Sequence, residues 1–223
     1  MRIPLRILVC SLFSCLGAAP LASAATVNVV HGIDGRDLGL AQELPVDIAV
    51  NGACSLKGVK FKDSALVELA AADYTITIHL ADGACSQAAV ITKQVTIPEN
   101  ERVFSAVASL SSGGTPQLAV FNVSEFFIPS TVIVRHLAQA GSVAVKFSSS
   151  EILSSRSSRI RNGKQVALSV FSNRVPYTAN IFPGSSRRSI ARLTGVGRRK
   201  FTIYNIVGSK KNGFTIVPEL LAP

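Results

Sequence analysis

Tryptophan is absent from this chain of 223 residues, methionine occurs only as the first residue, and aromatics make up 6%. Single-stranded nucleic acid is held on aromatic platforms interleaved with cations. That interleaving is nearly missing here, so no specific nucleic acid is expected as a partner. Histidine is scarce: His31, His79 and His136 are all there are. A metal centre or an acid–base site needs converging ligands, and few residues exist to supply them. No serine stands in a Gly-x-Ser-x-Gly turn. No Gly-Lys-Ser/Thr follows Gly195-Val196-Gly197, which reads as a hairpin turn and not a phosphate loop. No stretch has the period of an amphipathic helix of three turns, and none beyond the N-terminus is long and apolar enough to span a bilayer. No catalytic, metal or cofactor-binding residue is assigned on this reading, and no cofactor is expected.

What the N-terminus does have is a leader. Met1-Arg2-Ile3-Pro4-Leu5-Arg6 is positive, Ile7 to Leu16 is mostly apolar, and Ala22-Ser23-Ala24 ends the segment with small residues. This pattern predicts a secretory signal over residues 1–24, cleaved after Ala24. A lipoprotein signal ending at Cys15 is disfavoured, because the bulky Phe13 fits a lipobox poorly. The expected location is exported, either periplasmic or extracellular. Removing the leader leaves two cysteines, Cys54 and Cys85. An even pair in an exported chain predicts a disulfide. It would close a loop of roughly 32 residues, for which chain entropy gives at most about 3.7 kcal/mol.

The apolar mass is Val, Ile, Leu and Ala between Gly, Ser, Asn and Pro turns, which predicts many short strands. Strand candidates recur in the same order along the chain. Val27–His31 answers Val132–His136, and Val46–Val50 answers Ser142–Lys146. Tyr74–Ile78 answers Tyr177–Ile181, Val103–Val107 answers Lys200–Tyr204, and Gln117–Val120 answers Thr215–Val217. Alternation such as Tyr74/Ile76/Ile78 against Thr75/Thr77 gives each strand one apolar and one polar face. The expectation is an all-β chain of two tandem immunoglobulin-like antiparallel β-sandwich domains, with about seven strands in each. The first would span residues 25–122, a linker residues 123–130, and a second, basic domain residues 131–223. The best helical rival is Asp63 to Ala72; a strand followed by a turn at Ala70 to Asp73 is expected there instead.

His31-Gly32-Ile33-Asp34-Gly35-Arg36-Asp37-Leu38-Gly39-Leu40, followed by Leu44-Pro45-Val46-Asp47-Ile48-Ala49-Val50-Asn51-Gly52, resembles the opening of the domain-of-unknown-function family 4397. Leu69 to Thr75 stands where that family shows its turn before a Tyr-containing strand. The resemblance covers nearly all of residues 26–121, and residues 131–219 resemble the family only as a divergent copy. The second half lacks the Pro-Val-Asp and Asn-Gly pieces and both cysteines. The resemblance implies exported immunoglobulin-like sandwich modules and no particular activity.

His31 and His136 end equivalent strands, and each is expected to pin its strand by a hydrogen bond to a neighbouring loop. His79 is expected to be a half-exposed strand residue. Asp34, Asp37, Glu43 and Asp47 are acid–base candidates. The first two sit in a Gly-rich loop that offers Ca²⁺ ligands without EF-hand periodicity, and turn-forming roles are expected. Charge is the sharper signal. Residues 25–124 carry six Lys/Arg against ten Asp/Glu, a net of −4; residues 125–223 carry fifteen against three, a net of +12. The positives include Arg156, Arg159, Arg161, Lys164, Arg187, Arg188, Arg192, Arg198, Arg199 and Lys200, with Lys210 and Lys211 beyond them. They are expected on the rims of a sandwich, as an anion-binding surface. The expected partners are anionic envelope polymer, anionic membrane or acidic protein. A solubilising surface docked on the acidic first half is the competing account. The function expected is a non-catalytic exported binding or structural module. A hydrolase with its site between the two halves is the alternative.

Overall fold

The computed structural model describes residues 24–124, 131–149, 156–169, 176–184, 188–189, 191–196 and 202–219. Residues 1–23 of the expected leader and residues 125–130 of the expected linker lie outside these, as do Arg187, Gly197, Arg198, Arg199 and Lys200. The described chain is all-β apart from one 3-10 turn, Gly35–Leu38. Strands β1 to β8 are Ala25–His31, Val46–Val50, Ala53–Val59, Ser64–Leu69, Ala72–Leu80, Ala89–Ile97, Val103–Leu110 and Pro116–Asn122. Strands β9 to β16 are Thr131–His136, Ser142–Ser149, Arg156–Arg161, Lys164–Ser169, Pro176–Pro183, Ala191–Val196, Thr202–Ser209 and Gly213–Glu219.

Four sheets of four strands result. Two come from the first eight strands, in the orders β4-β1-β7-β8 and β3-β2-β5-β6. Two come from the last eight, in the orders β12-β9-β15-β16 and β11-β10-β13-β14. Adding eight to each strand number turns the first pair of orders into the second. The pairing sense carries over as well: β1 runs antiparallel to β4 and parallel to β7, and β9 runs antiparallel to β12 and parallel to β15. In their described residues, the five pairs of strand candidates matched in the sequence fall on strands eight apart. Among the described residues, each half has eight strands where about seven were expected.

Local sequence accounts for the turns. Asn51 and Gly52 both take positive φ (49° and 80°), as a two-residue hairpin between right-twisted strands requires. The Asn51 carboxamide oxygen also accepts from the Thr75 N–H at 2.8 Å. Around Asp63–Ala72 the period is two, so the segment is β4 and not a helix; Leu69 turns inward and Leu66 outward. The turn after it is narrower than expected, because Ala72 and Asp73 already belong to β5.

The sheets stack in four layers. One apolar cluster joins β3-β2-β5-β6 to β4-β1-β7-β8, through Ile48, Ile76 and Ile78 against Val27, Val29 and Phe104. Another joins β12-β9-β15-β16 to β11-β10-β13-β14, through Val132, Val134 and Ile206 against Val145, Phe147 and Ile181. Between these, the two inner sheets meet each other. Val30, Phe61 and Val107 pack against Leu137, Val207 and Val217, while Val123 packs with Ile133 and Ile203. The inner strands are therefore buried on both faces, as the runs Val27–His31 and Val132–His136 require. Val123, expected at the start of a linker, is fully buried in this seam.

Candidate functional site

The signature Pro45-Val46-Asp47 ends in a carboxylate on the outer side of β2. Asp47 is fully buried there. Its Oδ1 accepts from the Gly58 N–H at 2.7 Å, and its Oδ2 from the Asp82 and Gly83 N–H groups at 2.9 and 2.6 Å. Burial alone would raise its pKa, but these three backbone donors outweigh it and hold the carboxyl below its ordinary range. The loop after β5 is thus folded back over the outer sheet. The Cys54–Cys85 disulfide fastens the same loop, with Cα atoms 5.7 Å apart. His79 fastens it again, through Nδ1 to the Gln87 carbonyl at 2.6 Å, while its Nε2 meets the Thr77 hydroxyl at 2.8 Å. His79 is consequently buried rather than half-exposed. The Ser86 hydroxyl, with backbone N–H groups of the same loop, lowers the Asp82 carboxyl to about 2. Asp47 and both cysteines bring ligand-type atoms within 4.8 Å of one another. With the sulfurs joined and the carboxylate oxygens holding three N–H groups, this cluster is a clamp.

The other acidic and histidine candidates are likewise engaged. His31 donates from Nε2 to the Leu44 carbonyl at 2.8 Å, and its Nδ1 accepts from the Ile33 N–H at 3.4 Å. Those two bonds suit one neutral tautomer. Burial lowers its pKa against the opposing pull of the Leu44 carbonyl. His136 repeats the arrangement from Nε2 to the Ala140 carbonyl at 3.1 Å, and burial lowers its pKa too. Both rings pin a strand end to the following loop. Asp34 caps the 3-10 turn and pairs with Arg36 at 2.6 Å, which holds its carboxyl below the usual range. Asp37 reaches the other half, where its Oδ1 accepts from the Ser209 hydroxyl and the Asn212 carboxamide, each at 2.5 Å. Glu43 pairs with Lys60 at the surface.

The seam between the halves holds polar residues that the sequence reading did not single out. Arg135 of β9 and Glu219 of β16 form a wholly buried ion pair at 2.9 Å. The same Arg135 Nη1 donates to the Ser105 hydroxyl at 2.6 Å, and its Nε donates to Gln165 at 2.9 Å. The guanidinium lies 4.2 Å from the ring centre of Phe121. Glu219 also accepts from Asn28 (3.0 Å), Ser105 (2.9 Å) and Asn205 (2.5 Å). Asn28, Ser105 and Phe121 belong to the first half, so the pair is sealed by both. Burial lowers the Arg135 pKa to about 10, with Glu219 opposing. A polar residue inside an otherwise apolar strand, as in Val132-Ile133-Val134-Arg135-His136, is the signal that marks this network.

Four of the described basic residues share one sheet face. In β11-β10-β13-β14, Val143, Val145, Phe147, Ile160, Ala179 and Ile181 point into the core. Their neighbours point out. Register pairs Ala144 with Arg159 and Phe182, Ser142 with Arg161, Lys146 with Asn180, and Asn180 with Arg192. Lys146, Arg159, Arg161 and Arg192 are exposed on this one surface, with half-buried Phe182 and Asn180 among them. Lys146 is new to the set: it stands alone in sequence, but the alternation of β10 sends it outward with Ala144. Arg188 is exposed next to β14. Arg156 starts β11, and Lys164 starts β12 in a different sheet. Among the described residues of this half, Glu219 is the only carboxylate, and it is buried with Arg135. No described salt bridge joins the basic face to the acidic half, since the three ion pairs each close within one half.

A polar cleft of about 410 Å³ opens at the edge of the seam, and neither His31 nor His136 lines it. Among the described residues no helix is long and apolar enough to cross a membrane. No protein-family model and no curated protein matches the chain. Among solved structures, the chain is similar to a family 26 carbohydrate-binding module from Eubacterium rectale, solved in complex with maltoheptaose. The two share 9% identity over 89% of this chain and 98% of that one, with a TM-score of 0.25. A likeness of that size carries no argument about fold or function.

Proposed function

We propose that this chain is an exported, non-catalytic binding module whose last eight strands attract anionic polymer or anionic membrane surface. The observation that carries the reading is the outer face of β11-β10-β13-β14. Lys146, Arg159, Arg161 and Arg192 are exposed together there, and the one described carboxylate of that half is buried elsewhere. An uncompensated field of this kind draws in polyanions without a pocket. The competing account, neutralisation by the acidic half, is weakened by the layer order. The acidic half packs on the opposite side of this domain, through the buried seam.

The rest of the reading has its own support. Two immunoglobulin-like sandwich domains, residues 25–122 and 131–223, and kinship with the domain-of-unknown-function family 4397 are supported by the repeated sheet orders and by the motif around Asp47. Export is supported by the leader sequence and by the Cys54–Cys85 disulfide, which suits an oxidising compartment. The test is a binding titration of the mature protein with a heparin-type polymer and with vesicles rich in anionic lipid. Binding should weaken steeply with added salt, since such fields are screened over about 8 Å at physiological ionic strength. No binding even at low salt would show that the charge is solubilising only.

A further inference from the structure

Where the seam reaches the surface, four segments converge on one cleft. The 3-10 turn supplies Asp37, the β7–β8 turn Ser112, the β9–β10 loop Gln139 and Gly141, and the β15–β16 turn Lys210 and Lys211. Neither half forms this cleft alone. Its volume, about 410 Å³, lies within the range that small-molecule sites occupy. The parts are positioned by contacts of their own. The Ser209 hydroxyl donates to Asp37 Oδ1 and accepts from the Lys211 and Asn212 N–H groups at 3.2 and 3.1 Å, which fixes the turn carrying the lysines. Gly114 lets the β7–β8 turn close on Gln139: a Cβ there would stand 2.7 Å from the Gln139 amide nitrogen. The other carboxylate oxygen, Asp37 Oδ2, is buried with no partner among the described residues.

We propose that this cleft binds one carboxylated sugar unit of an acidic glycan. The donor–acceptor set selects that chemistry. Lys210 and Lys211 offer ammonium groups to a carboxylate, while Ser112 and Gln139 offer a hydroxyl and an amide to ring hydroxyls. Six of the eight lining residues carry polar side chains, so the cleft suits a hydroxyl-rich ring better than an apolar side chain. The cleft opens to solvent along one side, so a ring can be bound while still linked into a chain. This site is separate from the outer basic face and does not depend on it.

The test is titration of the full mature protein with a short oligogalacturonate, followed by amide chemical shifts and calorimetry at physiological salt. The expected result is shift changes at Gly141, Lys210 and Lys211. Lys210→Ala with Lys211→Ala should weaken binding by at least about tenfold. These lysines are exposed, so their loss leaves the fold intact; Gln139→Ala is the second variant and should also weaken binding. Lys93→Glu, at an exposed lysine of β6 outside both surfaces, should leave it unchanged. The methyl-esterified oligomer, which lacks the carboxylate, should not bind. Four outcomes would overturn the proposal: no binding, equal binding of the ester, insensitivity to the lysine pair, or equal displacement by a simple acidic dipeptide.

Discussion

Replacing Glu219 with glutamine should destabilise the protein far more than its conservative size suggests. Glu219 is wholly buried and balances the charge of Arg135, also wholly buried. The carboxamide oxygen introduced by Glu219→Gln would still accept from Asn205 and Ser105, but the guanidinium would be left without a counter-charge. Removing one member of a buried ion pair costs about 3–5 kcal/mol. A chain of this size loses roughly 2–4 °C of Tm per kcal/mol, so the midpoint should fall by about 10 °C. The second half of the experiment separates charge from packing. Arg135→Met alone should also destabilise, by leaving Glu219 buried and unpaired. Combining R135M with E219Q removes both charges and keeps an acceptor for Ser105 and Asn205. The double variant should be more stable than the sum of the single losses predicts, with a coupling of about 1 kcal/mol or more in urea denaturation. Additive losses would refute the reasoning, because they would mean that the two groups do not sense each other across 2.9 Å.

Three further outcomes are expected. His31 and His136 have pKa values lowered by burial, so below about 6.5 the unfolded chain takes up protons that the folded chain does not. Stability is then full above that pH and falls as the pH drops below it, by up to about 1.4 kcal/mol per pH unit for each histidine. Urea midpoints measured between pH 7.5 and 5 check this, and His31→Gln should flatten the slope. Replacing Cys54 and Cys85 together with Ala should cost at most about 3.7 kcal/mol and expose amides of the loop after β5 to hydrogen exchange; unchanged exchange there would show that Asp47 and His79 hold the loop unaided. Residues 25–124 expressed alone should expose Val30, Val107 and Val123, each fully buried in the whole chain, at roughly 1.5–3 kcal/mol apiece. That fragment should unfold at a lower urea concentration than the whole chain; equal stability would mean that the seam contributes little.

The strand content was legible because Val, Ile and Thr recur with period two between Gly and Asn turns, and the disulfide because only two cysteines follow the expected leader. The pinning roles of His31 and His136 were legible from their equivalent places at strand ends. The seam was not read, although its trace is in the sequence. A strand such as Val27–His31 has almost no polar face, and that is the mark of a strand covered on both sides. Arg135 and Glu219 lie 84 residues apart, and only the closing of β16 onto β15 brings them together. His79 looked half-exposed because nothing local tells that the loop after β5 folds back over it. The anionic-surface candidates were picked by clustering along the chain, which favours loops. Register selects differently: it puts solitary Lys146 beside Arg159 and Arg192, and sends Lys164 to another sheet.

The account rests most directly on the outer face of β11-β10-β13-β14. The decisive measurement is the affinity of the mature protein for a heparin-type polymer at low salt, with and without Lys146→Glu, Arg159→Glu and Arg192→Glu combined. These side chains are exposed, so the variant should keep the parent's unfolding midpoint within about 1 kcal/mol of stability. The parent should bind in a salt-sensitive way, and the triple variant should bind at least about tenfold more weakly. Parent-like binding by the folded triple variant would contradict it and would move the anion site elsewhere on the chain.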